Sequence, residues 1–136
     1  MKVVFDTNVL LDAIAKRENF KTAEQLILAA ANKKIKGIIT ANTITDIYYI
    51  AKKAVGILSI RQVIMDLLTL FDIAKVDRKI CMTALNLPMS DFEDAVLAAC
   101  ASREGADYIV TRDNGFLAAD SPVPTLSPDD LLALIQ

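Results

Sequence analysis

Histidine is absent from all 136 residues. Its absence excludes Ser-His-Asp and Cys-His nucleophilic catalysis, imidazole acid–base chemistry and histidine-ligated zinc. Any catalysis here must rest on carboxylates, hydroxyls, lysine, arginine or a cation held by oxygen. Cysteine is scarce: Cys81 and Cys100 fall in helical apolar patterns and read as small buried hydrophobes rather than a disulfide or a metal pair. No apolar run is long enough to span a membrane, and the amino end enters a strand at once. Neither a membrane segment nor a signal peptide is expected, and the cytoplasm is the expected location. Repeats, linkers and low-complexity stretches are missing. An excess of positive charge is missing too: 15 Lys and Arg against 17 Asp and Glu give a net charge of −2. No global field advertises nucleic acid, although a local basic rim can suffice.

What the chain has in quantity is apolar side chains, 54% of the residues. With a mean hydropathy of +0.38, this suits a sheet covered on both faces and leaves room for an apolar partner surface. The length fits one domain, residues 1–136, with a substantial core. Lys2 to Phe5 reads as a short buried strand that stops at Asp6-Thr7-Asn8. Helices are expected over Val9 to Lys16 and Lys21 to Lys33, a second strand over Gly37 to Thr40, and a third helix from Asn42 or Thr43. Gly56 breaks that helix, and Ser59 is the expected cap of a fourth, ending at Leu70. Phe71 to Val76 is the expected third strand, and Asp77 the cap of a helix through Leu85. Ser90 with Glu93 forms a Ser-x-x-Glu capping box for a helix to about Glu104, closed by Gly105. Tyr108 to Thr111 is the fourth strand, Arg112 to Gly115 a turn, Pro122 to Leu126 the fifth strand, and Ser127-Pro128 opens a last short helix.

Strands alternating with helices imply right-handed βαβ units, a mainly parallel α/β sheet and helices on both faces. In the common doubly wound order 3-2-1-4-5, strands one and four are neighbours, and ligands bind at the carboxyl ends of the strands. Asp6 and Asp113 then face each other at that edge. Asp46, in the first turn of the helix after strand two, and Asp94, in the first turns of the helix before strand four, belong to the same edge. Asp91 and Asp94, three apart, share a helix face. Each acid has a plainer account: Asp6, Asp46 and Asp91 suit helix starts, and Asp113 suits a turn. Together they converge with no basic partner in their segments except Arg112. Close carboxylates repel unless some protonate or a cation sits between them. With oxygen donors alone that cation is Mg²⁺ or Mn²⁺. Such a centre activates water and stabilises charge on phosphorus, which points to phosphodiester hydrolysis.

Three segments also resemble the successive motifs of PIN domains: Val3-Val4-Phe5-Asp6-Thr7-Asn8-Val9, Ser90-Asp91-Phe92-Glu93-Asp94-Ala95, and Tyr108-Ile109-Val110-Thr111-Arg112-Asp113 with Phe116. Their order and spacing match over nearly the whole chain. The resemblance implies a three-layer Rossmann-like fold and a Mg²⁺- or Mn²⁺-dependent nuclease acting on RNA and leaving a 5′-phosphate. It further implies a toxin of a toxin–antitoxin pair, with a cognate antitoxin as partner and a homodimer as assembly. By position, Asp6, Asp94 and Asp113 match the family's metal-binding acids. Asp46 matches a fourth catalytic acid that is commonly Glu, and is one methylene shorter. Asp91 is an extra acid, and Thr7, Asn8 and Thr111 would orient carboxylates or water around the metal. Arg112 either touches a phosphate or pairs with a neighbouring acid. Lys52-Lys53 and Arg78-Lys79 read as solvated faces before rim contacts; Tyr48 and Tyr49 read as core or interface before base-stacking platforms.

Two other readings compete. One is a PIN-like module that has lost catalysis and serves binding or assembly, favoured by Asp46 and the acidic balance. The other, ranked below it, is a haloacid dehalogenase-type phosphatase with Asp6 as nucleophile. There Asn8 stands where the second Asp of Asp-x-Asp belongs, and no convincing lysine motif follows.

Overall fold

The computed structural model describes residues 1–136. Thirteen elements follow one another: β1 (Lys2–Phe5), α1 (Thr7–Ile14), α2 (Phe20–Ala31), β2 (Lys36–Thr40), α3 (Ala41–Val55), α4 (Ile57–Leu70), β3 (Asp72–Ala74), α5 (Arg78–Leu85), α6 (Phe92–Arg103), β4 (Tyr108–Val110), α7 (Asn114–Leu117), β5 (Thr125–Leu126) and α8 (Pro128–Ile135). The sheet has five strands in the order β3-β2-β1-β4-β5. Every neighbouring pair is parallel, with Val4 opposite Ile38 on one side and Ile109 on the other. The α/β class, the parallel sheet and its 3-2-1-4-5 order are therefore as the sequence pattern indicates.

Alternation along each strand splits the interior in two. Val3 and Phe5 of β1, Ile39 of β2 and Val110 of β4 face a core built with α1, α2, α3, α4 and α8. Val4, Ile38 and Ile109 face the opposite core, made with α5, α6 and Phe116 of α7. A two-residue period is the geometry of a strand buried on both faces, and it produces three layers. Helix α6 shows the same logic in another form. Its run Ala95 to Ala101 is buried without interruption, as expected of a helix enclosed on all sides. The small side chains there let it lie close to the sheet, and its first turn delivers Asp94 to the carboxyl edge.

Several boundaries differ from expectation. Helix α4 begins at Ile57, with Gly56 at φ 86° as its cap in place of Ser59. That positive φ is costly for any residue with a Cβ, so one glycine ends α3 and turns the chain into α4. Strand β3 is shorter than expected, Asp72–Ala74: Phe71 still closes α4, its N–H donating to the Leu67 carbonyl at 3.0 Å, and its ring meets Phe5 with centroids 5.1 Å apart. Helix α6 is capped by Asp91, not Ser90: the Asp91 side chain accepts from the Asp94 N–H at 3.0 Å. Glu93 consequently performs no capping. The expected turn at Arg112 to Gly115 is the start of α7, with Asp113 as its cap. Asp77 and Ser127 cap α5 and α8 as expected. Both cysteines are free; Cys100 is buried and Cys81 half-buried. Burial pushes the Cys100 thiol up to about 11, so it packs as an inert hydrophobe.

Candidate active site

Parallel pairing of β1 with β4 puts Asp6 beside Thr111. The Asp6 N–H donates to the Val110 carbonyl at 2.9 Å, one step past the last strand pair. The Asp6 carboxylate is then held from three sides. The Thr7 N–H donates to Oδ1 at 2.8 Å, while Thr111 Oγ1 and Asn8 Nδ2 donate to Oδ2 at 2.7 and 3.1 Å. Thr111 Oγ1 also accepts from the Asp113 N–H at 3.1 Å, which ties the next acid to the same hydroxyl. The Asp113 carboxylate accepts from the Gly115 N–H at the start of α7. Across the edge, the Thr7 and Thr43 hydroxyls pair at 2.9 Å and the Thr43 and Thr40 hydroxyls at 3.2 Å, locking α1 to the start of α3.

Asp94 occupies the middle. One cleft is lined by Asp6, Thr7, Thr43, Asp46, Glu93 and Asp94 among others. An adjoining recess is lined by Ser90, Asp91, Asp94, Asp113 and Gly115. No lysine or arginine lines either one. Burial and then the charges of Asp91, Asp6, Asp113 and Glu93 push the Asp94 carboxyl up to about 7. Asp6 is also raised, chiefly by burial and further by Asp113, against the three hydrogen bonds that lower it. A concentrated negative field with perturbed carboxyls in a cleft is the mark of a functional site.

A family model described as PIN domain matches residues 2–115. The chain belongs to the PIN domain family. Ribonuclease VapC1 of Aquifex aeolicus is 29% identical over 131 residues, covering 91% of this chain and 90% of that protein. Among solved structures, VapBC2 of Rickettsia felis bound to a promoter DNA fragment aligns with a TM-score of 0.70 at 19% identity, over 93% of this chain and 98% of that one. VapC20 of Mycobacterium tuberculosis, a toxin that cleaves the sarcin-ricin loop, aligns with a TM-score of 0.69 at 16% identity, over 88% and 95%. At such identities the structural likenesses speak for the fold.

In this PIN domain the acids expected at the carboxyl edge are found there, with differences in detail. Asp46 sits in the second turn of α3, not the first, and reaches the cleft it shares with Asp6 and Asp94. Asp91 is exposed and spends one oxygen on capping, so it acts on Asp94 through its charge. Arg112 turns away from the cluster: its Nε donates to Asp12 Oδ2 at 2.6 Å. Lys52-Lys53 and Arg78-Lys79 line neither acidic recess. Lys52 lies over the ring of Tyr49, which is exposed, while Tyr48 packs against the core. Two participants were missed in the sequence. Glu93 was assigned to a capping box and lines the cleft instead. Asp12 was passed over, although a lone charge inside Leu10-Leu11-Asp12-Ala13-Ile14 breaks an apolar run.

The donor set fits a hard divalent cation in chemistry: oxygen ligands only, surplus negative charge and no basic counter-ion. As the side chains stand, no group of three or more acids is disposed to enclose an ion.

Proposed function

We propose that this PIN domain is a Mg²⁺- or Mn²⁺-dependent endoribonuclease and the toxin of a toxin–antitoxin pair. The observation that carries the reading is the gathering of Asp6, Asp46, Glu93 and Asp94 in one cleft and of Asp91, Asp94 and Asp113 in the adjoining recess, with no lysine or arginine lining either. The names of the relatives, a ribonuclease and toxin–antitoxin complexes, add support. Asp6, Asp94 and Asp113 would hold the cation, with Asp46 facing the same cleft as the fourth acid. The bound ion supplies Lewis-acid stabilisation of the phosphoryl centre and a more acidic water. The chain's own part is orientation. Thr7, Asn8 and Thr111 fix the Asp6 carboxylate in one pose, and Thr111 carries Asp113 with it. The haloacid dehalogenase-type reading loses support because the family match over residues 2–115 is to the PIN domain and Asn8 stands where a second Asp belongs. Asp91 and Glu93 add negative charge around Asp94.

To hold the cation, Asp94 would have to be ionised. Affinity then rises with pH, and Mn²⁺ binds about tenfold more weakly at pH 6 than at pH 8. The decisive experiment is Mn²⁺ calorimetry on wild type and Asp94→Asn, matched for foldedness by circular dichroism. Saturable binding that the variant loses is expected. Cleavage of single-stranded RNA should stop with EDTA and fall in Asp94→Asn by more than about 100-fold, the upper loss for a mere outer-shell partner. A second reading, a PIN module without catalysis, draws on the lack of a ready three-acid cage. Wild type that ignores millimolar Mn²⁺ would favour it.

A further inference from the structure

Asp12 poses a problem that the cleft itself does not explain. It lies on α1 among buried Val9, Leu10, Leu11 and Ala13, and is 2% exposed. Its Oδ2 accepts from Arg112 Nε at 2.6 Å, while its Oδ1 is buried with no hydrogen-bond partner. A buried carboxylate with an orphaned oxygen is expensive. One half-exposed arginine is weak compensation, and an apolar side chain at that place would serve packing as well. What the pair does achieve is to fix the position of Arg112. This arginine stands between Thr111, which donates to Asp6, and Asp113. Its backbone N–H approaches Asn8 Oδ1 at 3.5 Å, and Asn8 in turn donates to Asp6. From that anchor an unpartnered guanidinium is drawn to the nearby carboxylates by ordinary Coulomb attraction.

We propose that Asp12 is a positioning residue that sequesters Arg112, so that the acid cluster is left without its adjacent counter-ion and stays open to a divalent cation. This rests on the cation-binding reading above. Arg112 thus belongs neither to the ligand set nor to the substrate contacts; it is a competitor kept out of the way. Arg112 lines neither acidic recess, which agrees with an arginine turned elsewhere.

The test is Mn²⁺ calorimetry on wild type, Asp12→Asn, Arg112→Gln and the double variant, each checked by circular dichroism. Freed by Asp12→Asn, Arg112 neutralises the cluster and weakens Mn²⁺ binding by at least about tenfold. Arg112→Gln alone binds as wild type does. The double variant, with no arginine to release, returns to within about twofold of wild type. A purely structural Asp12 would leave the double variant as weak as Asp12→Asn, and that result overturns the proposal. So does undiminished binding by Asp12→Asn. Should Asp12→Asn not fold, Asp12→Leu, which fills the apolar site, takes its place alone and with Arg112→Gln: weakened binding restored in the double variant supports the proposal, and any other pattern sinks it. Wild type that fails to bind Mn²⁺ removes the cation site and this proposal together, a result distinct from binding that is indifferent to Asp12.

Discussion

Asp94 is a residue whose chemistry and whose contribution to folding oppose each other. Its carboxyl titrates near 7 in the fold against an ordinary value of 3.8. The folded chain therefore holds a proton that the unfolded chain has already released between those two values. Stability is fully retained below the unfolded value and is lost as pH rises through the folded one. Asp6, raised by burial, adds to the same slope. Asp77 tilts the other way: the Ile80 N–H, then Arg103, hold it below its ordinary value, so its stabilising share is lost on acidification. We expect urea titrations of the metal-free protein to show midpoints falling from pH 4 to pH 7, and Asp94→Asn to flatten that fall. At pH 8 the variant should be more stable than wild type while binding no Mn²⁺. A variant less stable than wild type at pH 8 would mean that the Asp94 carboxylate is satisfied in the cleft. The other side chain at odds with its surroundings, Asp12, is legible in sequence only as a charge that interrupts an apolar run. Charge in a helix is read as solvent-facing, and only the fold shows the arginine that comes to it from Arg112, 100 positions on.

Among the elements, β2 depends on a close approach that only glycine permits. A Cβ on Gly37 would stand 2.6 Å from two atoms of the Phe71 ring and 3.3 Å from Ala30 Cβ. Phe71 cannot simply retreat, because its ring rests edge-on against Phe5 in the buried core beneath β1. Gly37→Ala should therefore cost about 1–3 kcal/mol, the usual range for overpacking, measured by urea denaturation with activity retained per folded molecule. Wild-type stability would show that the α2–β2–α4 junction has slack. The elements themselves were largely legible. Strands ending on Asp6, Thr40 and Thr111 stand out as apolar runs stopped by a polar residue, and Asp77 and Ser127 as caps. Where the sequence misled, two signals competed for one job. Ser90 and Asp91 both offer a cap one residue apart, and the carboxylate that reaches the Asp94 N–H wins. At the α3–α4 corner Gly56 is legible as the break, but Ser59 is the better capping residue by type, so the sequence starts α4 later than the fold, where Gly56 at φ 86° both ends α3 and opens α4.

For the molecule as a whole, the layer plan leaves one side of the structure more apolar than folding needs. Helices α3 and α4 carry Tyr49, Ile50, Ile57, Leu58, Met65 and Leu68, all among the exposed large hydrophobics, with Leu58 at 85%. Scattered exposed apolar side chains are ordinary, but several on two adjacent helices signal a surface that is covered in the working state. The excess was visible in composition as 54% hydrophobic residues; which residues formed it was not, because helices buried on one face and on two read alike until the layers are known. We propose that the homodimer implied by the family resemblance buries this face. A mass of two chains of 14.8 kDa is then expected by light scattering at micromolar concentration. Leu58→Asp should shift it to one chain without loss of helical signal, because a side chain so exposed contributes little to its own fold and much to a docked surface. A monomeric wild type would remove the homodimer and leave the face to a protein partner. A dimer indifferent to Leu58→Asp would move the interface to another surface.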